Sequence, residues 1–113
     1  MATSPLPEID VERVRRACRR RVPDQFKDEI RLEVTVRGKH VSIHEQRPVW
    51  RGAPGDWTSM PIAQLRYEGA GLWTLYFGDR HGKWTQYLDL EPRQLIDVII
   101  NELDTDPTGI FWG

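Results

Sequence analysis

The stretch from Ile62 to Leu88 constrains the fold more than any other part of the chain. Its apolar and aromatic residues fall into three short runs, separated by glycine-containing turns at Gly69-Ala70-Gly71 and Asp79 to Gly82. The three runs are Ile62 to Glu68, Leu72 to Phe77 and Lys83 to Leu88. Because neighbouring strands joined by short turns pair antiparallel, this stretch predicts a three-stranded meander. A four-residue turn at 79–82 would set Phe77 opposite Trp84 and Leu75 opposite Gln86.

A second hairpin precedes the meander. Residues 30–37 alternate strictly between apolar and polar side chains, which is typical of a strand with one solvated face. Gly38-Lys39 predicts a two-residue turn, so that a further strand runs from His40 to about Gln46. The resulting register pairs Val36 with Val41, Val34 with Ile43, Leu32 with Glu45 and Glu33 with His44. Between hairpin and meander, residues 48–61 are predicted to form a long irregular connection.

Two helices flank these strands. Residues 7–21 place apolar side chains at intervals of three or four, and the last helix is predicted from about Glu91 or Pro92 to Leu103. The last helix is apolar over more than half its circumference, so we expect it to pack on the sheet. The sequence thus predicts an α+β fold with an N-terminal helix, a five-stranded antiparallel meander-type sheet and a C-terminal helix. We expect a flexible tail over residues 1–6 and a single domain over residues 7–113.

Composition excludes several classes of protein. The 113 residues contain no apolar run near the roughly 20 residues that a membrane-spanning helix needs. The start of the chain has no secretory signal, and a single cysteine, Cys18, allows no internal disulfide, so a cytoplasmic location is expected. We find no glycine-rich phosphate loop, no metal-ligand cluster and no nucleophile beside a base, so no cofactor and no metal are expected.

Several short motifs resemble one bacterial family, the domain of unknown function 3024. These motifs are Glu45-Gln46-Arg47-Pro48-Val49-Trp50, Trp57, Leu65-Arg66-Tyr67, Trp73-Thr74-Leu75-Tyr76, Lys83-Trp84 with Tyr87, and the terminal segment from Asp106 to Gly113. They are spread over nearly the whole chain, and the Phe-Trp-Gly terminus is the most specific of them. Since the family is one of unknown function, the resemblance implies a bacterial source but no activity.

The first helix carries a cluster of arginines. Its candidate basic surface consists of Arg13, Arg16, Arg19 and Arg20. Such a cluster can contact phosphates of a nucleic acid. The simpler interpretation, which we favour, is a solvated helix surface whose guanidinium groups pair with the acidic C-terminal half.

A second candidate site centres on Glu45. This carboxylate falls on the apolar side of its strand, so we expect it to pair with Arg47 or Arg66 or to face a cleft. The candidate rim residues are Glu45, Arg47, Trp50, Trp57 and Arg66. A structural ion pair is the favoured interpretation, and a general acid or base is the alternative. The His44–Glu33 pair is interpreted as a surface cross-strand contact and Cys18 as a core residue.

From these features we favour a small non-enzymatic binding or adaptor module, with nucleic-acid association through the first helix as its specific form. One alternative is a hydrolase or nuclease-like enzyme built around Glu45, Arg47 and Arg66. Another is an oligomerising interaction subunit, with a protein partner or a homodimer. A terminal Trp112 should dock, either on its own chain or on another subunit, because a chain end with a free indole would leave apolar surface in water.

Overall fold

A computed structural model of the chain describes residues 6–49 and 55–113. The main elements are α1 (Glu8–Arg21), β1 (Arg31–Arg37), β2 (His40–Pro48), β3 (Trp57–Gly69), β4 (Leu72–Gly78), β5 (Trp84–Gln86), β6 (Gln94–Leu95) and α2 (Ile96–Thr105). A short 3-10 turn at Asp24–Phe26 lies between α1 and β1. The predicted α+β fold with a five-stranded antiparallel meander is confirmed, and β6 adds a short sixth strand beside β4.

The sheet follows chain order from β1 at one edge to β5. In the first hairpin the predicted register is confirmed, with Val34 opposite Ile43 and Leu32 opposite Glu45. The strict alternation of β1 determines this register, because a slip by one residue would turn every apolar side chain of the strand toward water.

The prediction of a long irregular connection over residues 48–61 is wrong. Strand β2 continues to Pro48 and β3 begins at Trp57, and these two residues lie opposite each other. Pro61 is accommodated because the β2–β3 register shifts beside it, between Ile43 and His44. Proline lacks the N–H that a regular ladder needs, so a bulge is one of the few places in a sheet that tolerate it.

The predicted pairing of β4 with β5 is also wrong, by one residue. Gly78 rather than Phe77 lies opposite Trp84, and Phe77 lies opposite Thr85. The Asp79 carboxylate sets this turn, since it accepts hydrogen bonds from the N–H of His81 at 2.8 Å and of Lys83 at 2.9 Å. The bond from Lys83 is the main cause of a lowered pKa at Asp79.

The last helix begins later than predicted, at Ile96 rather than near Glu91 or Pro92. Arg93 has a positive φ of 65°, and the next two residues form β6, paired with β4. A left-handed residue interrupts any helix, so residues 91–95 cannot continue α2 toward the N-terminus.

The two helices lie on one face of the sheet, called here the helix face. Trp73, which is fully buried, donates from Nε1 to Asp10 Oδ2 at 2.9 Å and so connects β4 to α1. Helix α2 contributes Ile99 and Leu103 to the same core, and both helices contact the sheet. The opposite face, the open face, carries polar and aromatic side chains, of which Gln64 is one.

The C-terminus docks on its own chain. Phe111 is buried, and Trp112 donates from Nε1 to the carbonyl of Leu103 at 2.8 Å. The Asp106 carboxylate accepts from the N–H groups of both aromatic residues, and the guanidinium of Arg21 lies 4.0 Å from the indole centre of Trp112. Leu6, at the other end, is also buried; the rest of the predicted flexible tail, residues 1–5, lies outside the described part.

Candidate functional site

The arginines on the outer side of α1 contact the acidic C-terminal half, as the favoured interpretation expected. Arg13 Nη1 lies 3.1 Å from Asp97 Oδ1, and Arg20 Nη2 lies 3.6 Å from Asp104 Oδ2. All four side chains are largely exposed, and exposed pairs of this kind contribute at most about 1 kcal/mol. They do, however, reduce the positive charge that this surface offers to a polyanion.

The other two members of the candidate basic surface are Arg16 and Arg19, also on α1. Arg19 pairs with Glu12 at 2.7 Å, and this hydrogen bond lowers the pKa of the Glu12 carboxyl. The Arg16 side chain makes no hydrogen bond or ion pair with the residues that the structure describes. The four arginines therefore do not form one unpaired basic surface.

Glu45 forms the predicted ion pair with Arg47. Arg47 Nε donates to Glu45 Oε1 at 2.8 Å, and the Glu45 side chain is 12% exposed. Both residues also line a cavity beside Trp112. Each of the two expectations for this carboxylate, pairing with Arg47 and facing a cleft, is thus confirmed.

Arg66 does not join this pair. It lies opposite His40 on the open face, whereas Glu45 and Arg47 lie on the helix face with Val41. Its Nε donates to Gln64 Oε1 at 2.7 Å, and its guanidinium stacks 3.8 Å from the ring centre of Tyr76. The expected grouping of Glu45, Arg47 and Arg66 at one rim is therefore wrong, because alternation along the strands separates them.

Of the two tryptophans of the candidate rim, the structure describes Trp57. Trp57 begins β3, and the guanidinium of Arg31 stacks 3.8 Å from its ring centre. Such stacking is worth about 0.5–1 kcal/mol at exposed sites. Trp50 lies outside the described residues.

The histidines of β2, His40 and His44, lie on the open face of the sheet. Glu33 is opposite His44 as predicted, but it accepts a hydrogen bond from Gln46, and the His44 ring instead packs edge-on against Trp84 at 5.7 Å. Glu33 and His44 thus form the predicted cross-strand pair, while their side chains also contact Gln46 and Trp84. Over residues 6–49 and 55–113, no group of three potential metal ligands occurs.

A concave feature lies between α1, the 3-10 turn and β1. It consists of two cavities of about 310 and 240 Å³ that share the side chains of Val22, Ile30 and Leu32. The larger runs along β1 toward Val34, and the smaller ends at Glu45, Arg47 and Trp112. We call the combined feature the α1–β1 groove.

The α1–β1 groove has an apolar floor and basic walls. Six cationic residues line it, against two carboxylates, Asp24 and Glu45, and two of the six, Arg19 and Arg47, are ion-paired with Glu12 and Glu45. The cationic residues are Arg15, Arg19, Arg21, Lys27, Arg31 and Arg47. The groove therefore favours a ligand that combines negative charge with apolar surface.

Cys18 lies in the wall of this groove. Burial raises the pKa of its thiol to about 11, so the reactive thiolate is scarce near neutral pH. The predicted core role of Cys18 is confirmed, since its side chain belongs to the main apolar cluster.

No sequence pattern predicted that Lys27 and Ile30 line the groove. Lys27 and Ile30 follow the 3-10 turn at Asp24–Phe26, a three-residue element with no periodic pattern to reveal it. The available signal was Pro23, which ends α1 and forces the chain to turn back toward β1. That signal predicts a turn but not the cavity that it encloses.

Comparison with family models matches residues 1–113 to a family described as a domain of unknown function (DUF3024). The chain belongs to this family. The resemblance carried by the Glu45–Trp50 segment and the Phe-Trp-Gly terminus is thereby confirmed. No curated protein and no solved structure matches the DUF3024 chain. Within its described residues, no helix has the length and apolar character needed to cross a membrane.

Proposed function

We propose that this DUF3024 protein is a non-enzymatic binding module whose α1–β1 groove takes an acidic segment of a partner protein. The observation that carries the proposal is the combination of an apolar floor with six cationic residues in one groove. A protein segment with acidic and apolar side chains is complementary to both features.

A binding role is favoured over catalysis by the chemistry of the groove. Its thiol is protonated near neutral pH, and its Glu45 is held in an ion pair with Arg47. Arg66, the third member of the enzyme hypothesis, faces the other side of the sheet. The groove therefore offers charge and apolar contact but no activated acid, base or nucleophile.

A protein segment is favoured over nucleic acid by what forms the floor. The floor shared by both cavities, formed by Val22, Ile30 and Leu32, is aliphatic, whereas nucleic-acid sites typically stack successive bases on aromatic rings. The two aromatic rings of the groove, Phe26 and Trp112, line only the smaller cavity, and the Trp112 ring is already stacked with Arg21. Two arginines outside the groove, Arg13 and Arg20, are already paired with aspartates. We place this interaction in the bacterial cytoplasm, where the single free thiol of Cys18 stays reduced.

The test is a fluorescence anisotropy titration of the full chain with two labelled acidic probes. One is the extended peptide acetyl-(Glu-Val)₄-amide, and the other is an amphipathic helical peptide with glutamate and leucine at helical spacing. We expect at least one probe to bind, and the affinity to fall as salt is raised. The double variant Arg19→Gln, Lys27→Glu should bind about tenfold more weakly, because it removes positive charge from the groove wall.

The matched control is Arg80→Glu, an exposed charge reversal in the β4–β5 turn at the far end of the sheet. It should leave the affinity within about twofold of the unchanged chain. Absence of binding by both acidic probes would refute the proposal. Tighter binding of a labelled single-stranded oligonucleotide than of either peptide would contradict the proposal. A dimer of the chain that binds neither peptide would contradict it as well.

A further inference from the structure

We propose that the acidic partner segment binds as an added β-strand along the outer edge of β1, the edge not paired with β2, where it replaces the Arg15 side chain at the Val34 carbonyl. This inference rests on the proposed function and names how the α1–β1 groove recognises its partner. Strand addition supplies affinity through main-chain hydrogen bonds and specificity through alternate side chains.

Strand β1 is an edge strand that faces the groove. It pairs with β2 on one side, and in the described part of the chain no other strand pairs with it. Residues 30–32 and Val34 line the larger cavity, so the unpaired side of β1 borders the groove. An edge of this kind carries N–H and C=O groups that can pair with a further strand.

The outward-facing backbone groups of β1 can be assigned. Arg15 Nη1, from α1, donates to the carbonyl of Val34 at 3.4 Å, which places that carbonyl on the edge away from β2. In an antiparallel pair, the N–H and C=O of one residue point to the same side, and the direction alternates along the strand. Leu32 and Val36 therefore also present both groups outward, in a row about 13 Å long.

Side-chain alternation explains why the partner should be acidic and apolar at once. The side chains of Leu32 and Val34 point to the helix face, so partner residues beside them would enter the cavity and contact its aliphatic floor. The intervening partner residues would lie on the open face, beside an exposed row in which Glu33 and Thr35 stand between Arg31 and Arg37; the positions that favour an acidic residue are those beside the two arginines. Acidic side chains at those positions gain opposite charges as cross-strand neighbours.

Charge disfavours a second copy of this chain in the twofold pairing of two β1 edges centred on Val34. That pairing would set Arg31 of one copy opposite Arg37 of the other, whereas a register that pairs Val34 with Val36 would set Glu33 opposite Arg37 and is tested by the sedimentation measurement below. Like charges directly across a strand pair are destabilising. An acidic strand meets a like charge on the open face of β1 only at Glu33.

The test compares the extended peptide acetyl-(Glu-Val)₄-amide with two N-methylated forms. One form is methylated on the backbone nitrogens of all valines, and the other on those of all glutamates. Only every second N–H of an added strand points at β1, so one set should lose binding and the other should not. We expect about tenfold or greater loss for one form and less than about threefold for the other.

Equal affinity of the two methylated forms, whether both bind or both fail, would overturn strand addition. Binding of the acidic helical peptide alone would overturn it too, yet would leave the proposed function standing. Failure of every acidic peptide would refute the proposed function itself, so the two failures are distinguishable. A sedimentation measurement that finds a dimer displaced by the extended peptide would assign the β1 edge to a second copy and also contradict the inference.

Discussion

At the scale of single residues, Asp10 is the polar group that attaches α1 to the sheet. Its carboxyl oxygen Oδ2 accepts a hydrogen bond from the indole N–H of Trp73 at 2.9 Å, and among the described residues this N–H has no other acceptor. Trp73 is fully buried and Asp10 is 9% exposed. Since α1 forms one wall of the α1–β1 groove, this contact also helps to fix the position of that wall.

We expect Asp10→Ala to lower the free energy of unfolding by about 2 kcal/mol, because it leaves a buried indole N–H without an acceptor. Asp10→Asn retains an acceptor oxygen and should lose about half as much. The control is Glu8→Ala, an exposed acidic residue in the same first turn. Urea unfolding measures all three, and equal values for Asp10→Ala and Glu8→Ala would contradict the role assigned to Asp10.

At the scale of elements, the sequence predicts best where a single strong pattern acts alone. The strict alternation of β1 and the Gly38-Lys39 turn predicted the first hairpin and its register correctly. The β4–β5 register was not predictable from turn length, because the Asp79 side chain bonds to the backbone of the turn and changes its pairing. Side-chain interactions of this kind leave no periodic signal.

The start of α2 escaped prediction for a related reason. Residues 91–95 look helical because they are continuous with an apolar helical pattern, yet Arg93 adopts a left-handed conformation and β6 pairs with β4. Arg93 donates its N–H to Thr74 Oγ1 at 3.1 Å, a contact between residues far apart in the chain. Such tertiary contacts override local propensity.

The C-terminal segment is an element in its own right, although it has no regular secondary structure. Phe111 is 4% exposed, and its ring packs 5.0 Å from the ring centre of Tyr87. Burial and a hydrogen bond to Glu102 raise the pKa of Tyr87, so the tyrosine hydroxyl remains a donor at neutral pH. The segment therefore extends the core beyond the end of α2.

We expect Phe111→Ala to cost about 3–4 kcal/mol, the usual range for removing a buried aromatic ring. The melting temperature should fall by roughly 10 °C or more. The matched control is Ile110→Ala, since Ile110 is 43% exposed and its truncation should cost less than about 1 kcal/mol. Differential scanning calorimetry measures the melting temperature of both variants. An unchanged melting temperature for Phe111→Ala would refute docking on the chain's own core.

At the scale of the whole molecule, the sequence indicated several candidate residues but not how the fold groups them. Glu45 with Arg47 was predicted from strand alternation, and Arg19 from the basic helix, as separate sites. The fold brings these residues to the walls of one groove and moves Arg66 to the opposite face. That grouping depends on how α1 lies against the edge of β1, which no local pattern encodes.

The central claim is that an acidic segment binds along the β1 edge of the α1–β1 groove. The most direct measurement is a titration of the ¹⁵N-labelled chain with unlabelled acetyl-(Glu-Val)₄-amide, followed by amide chemical shifts. The account predicts the largest shifts at the outward-facing amides of Leu32, Val34 and Val36, with smaller ones at Lys27. Shifts confined to the open face, for example at Gln64, with none along β1, would contradict it.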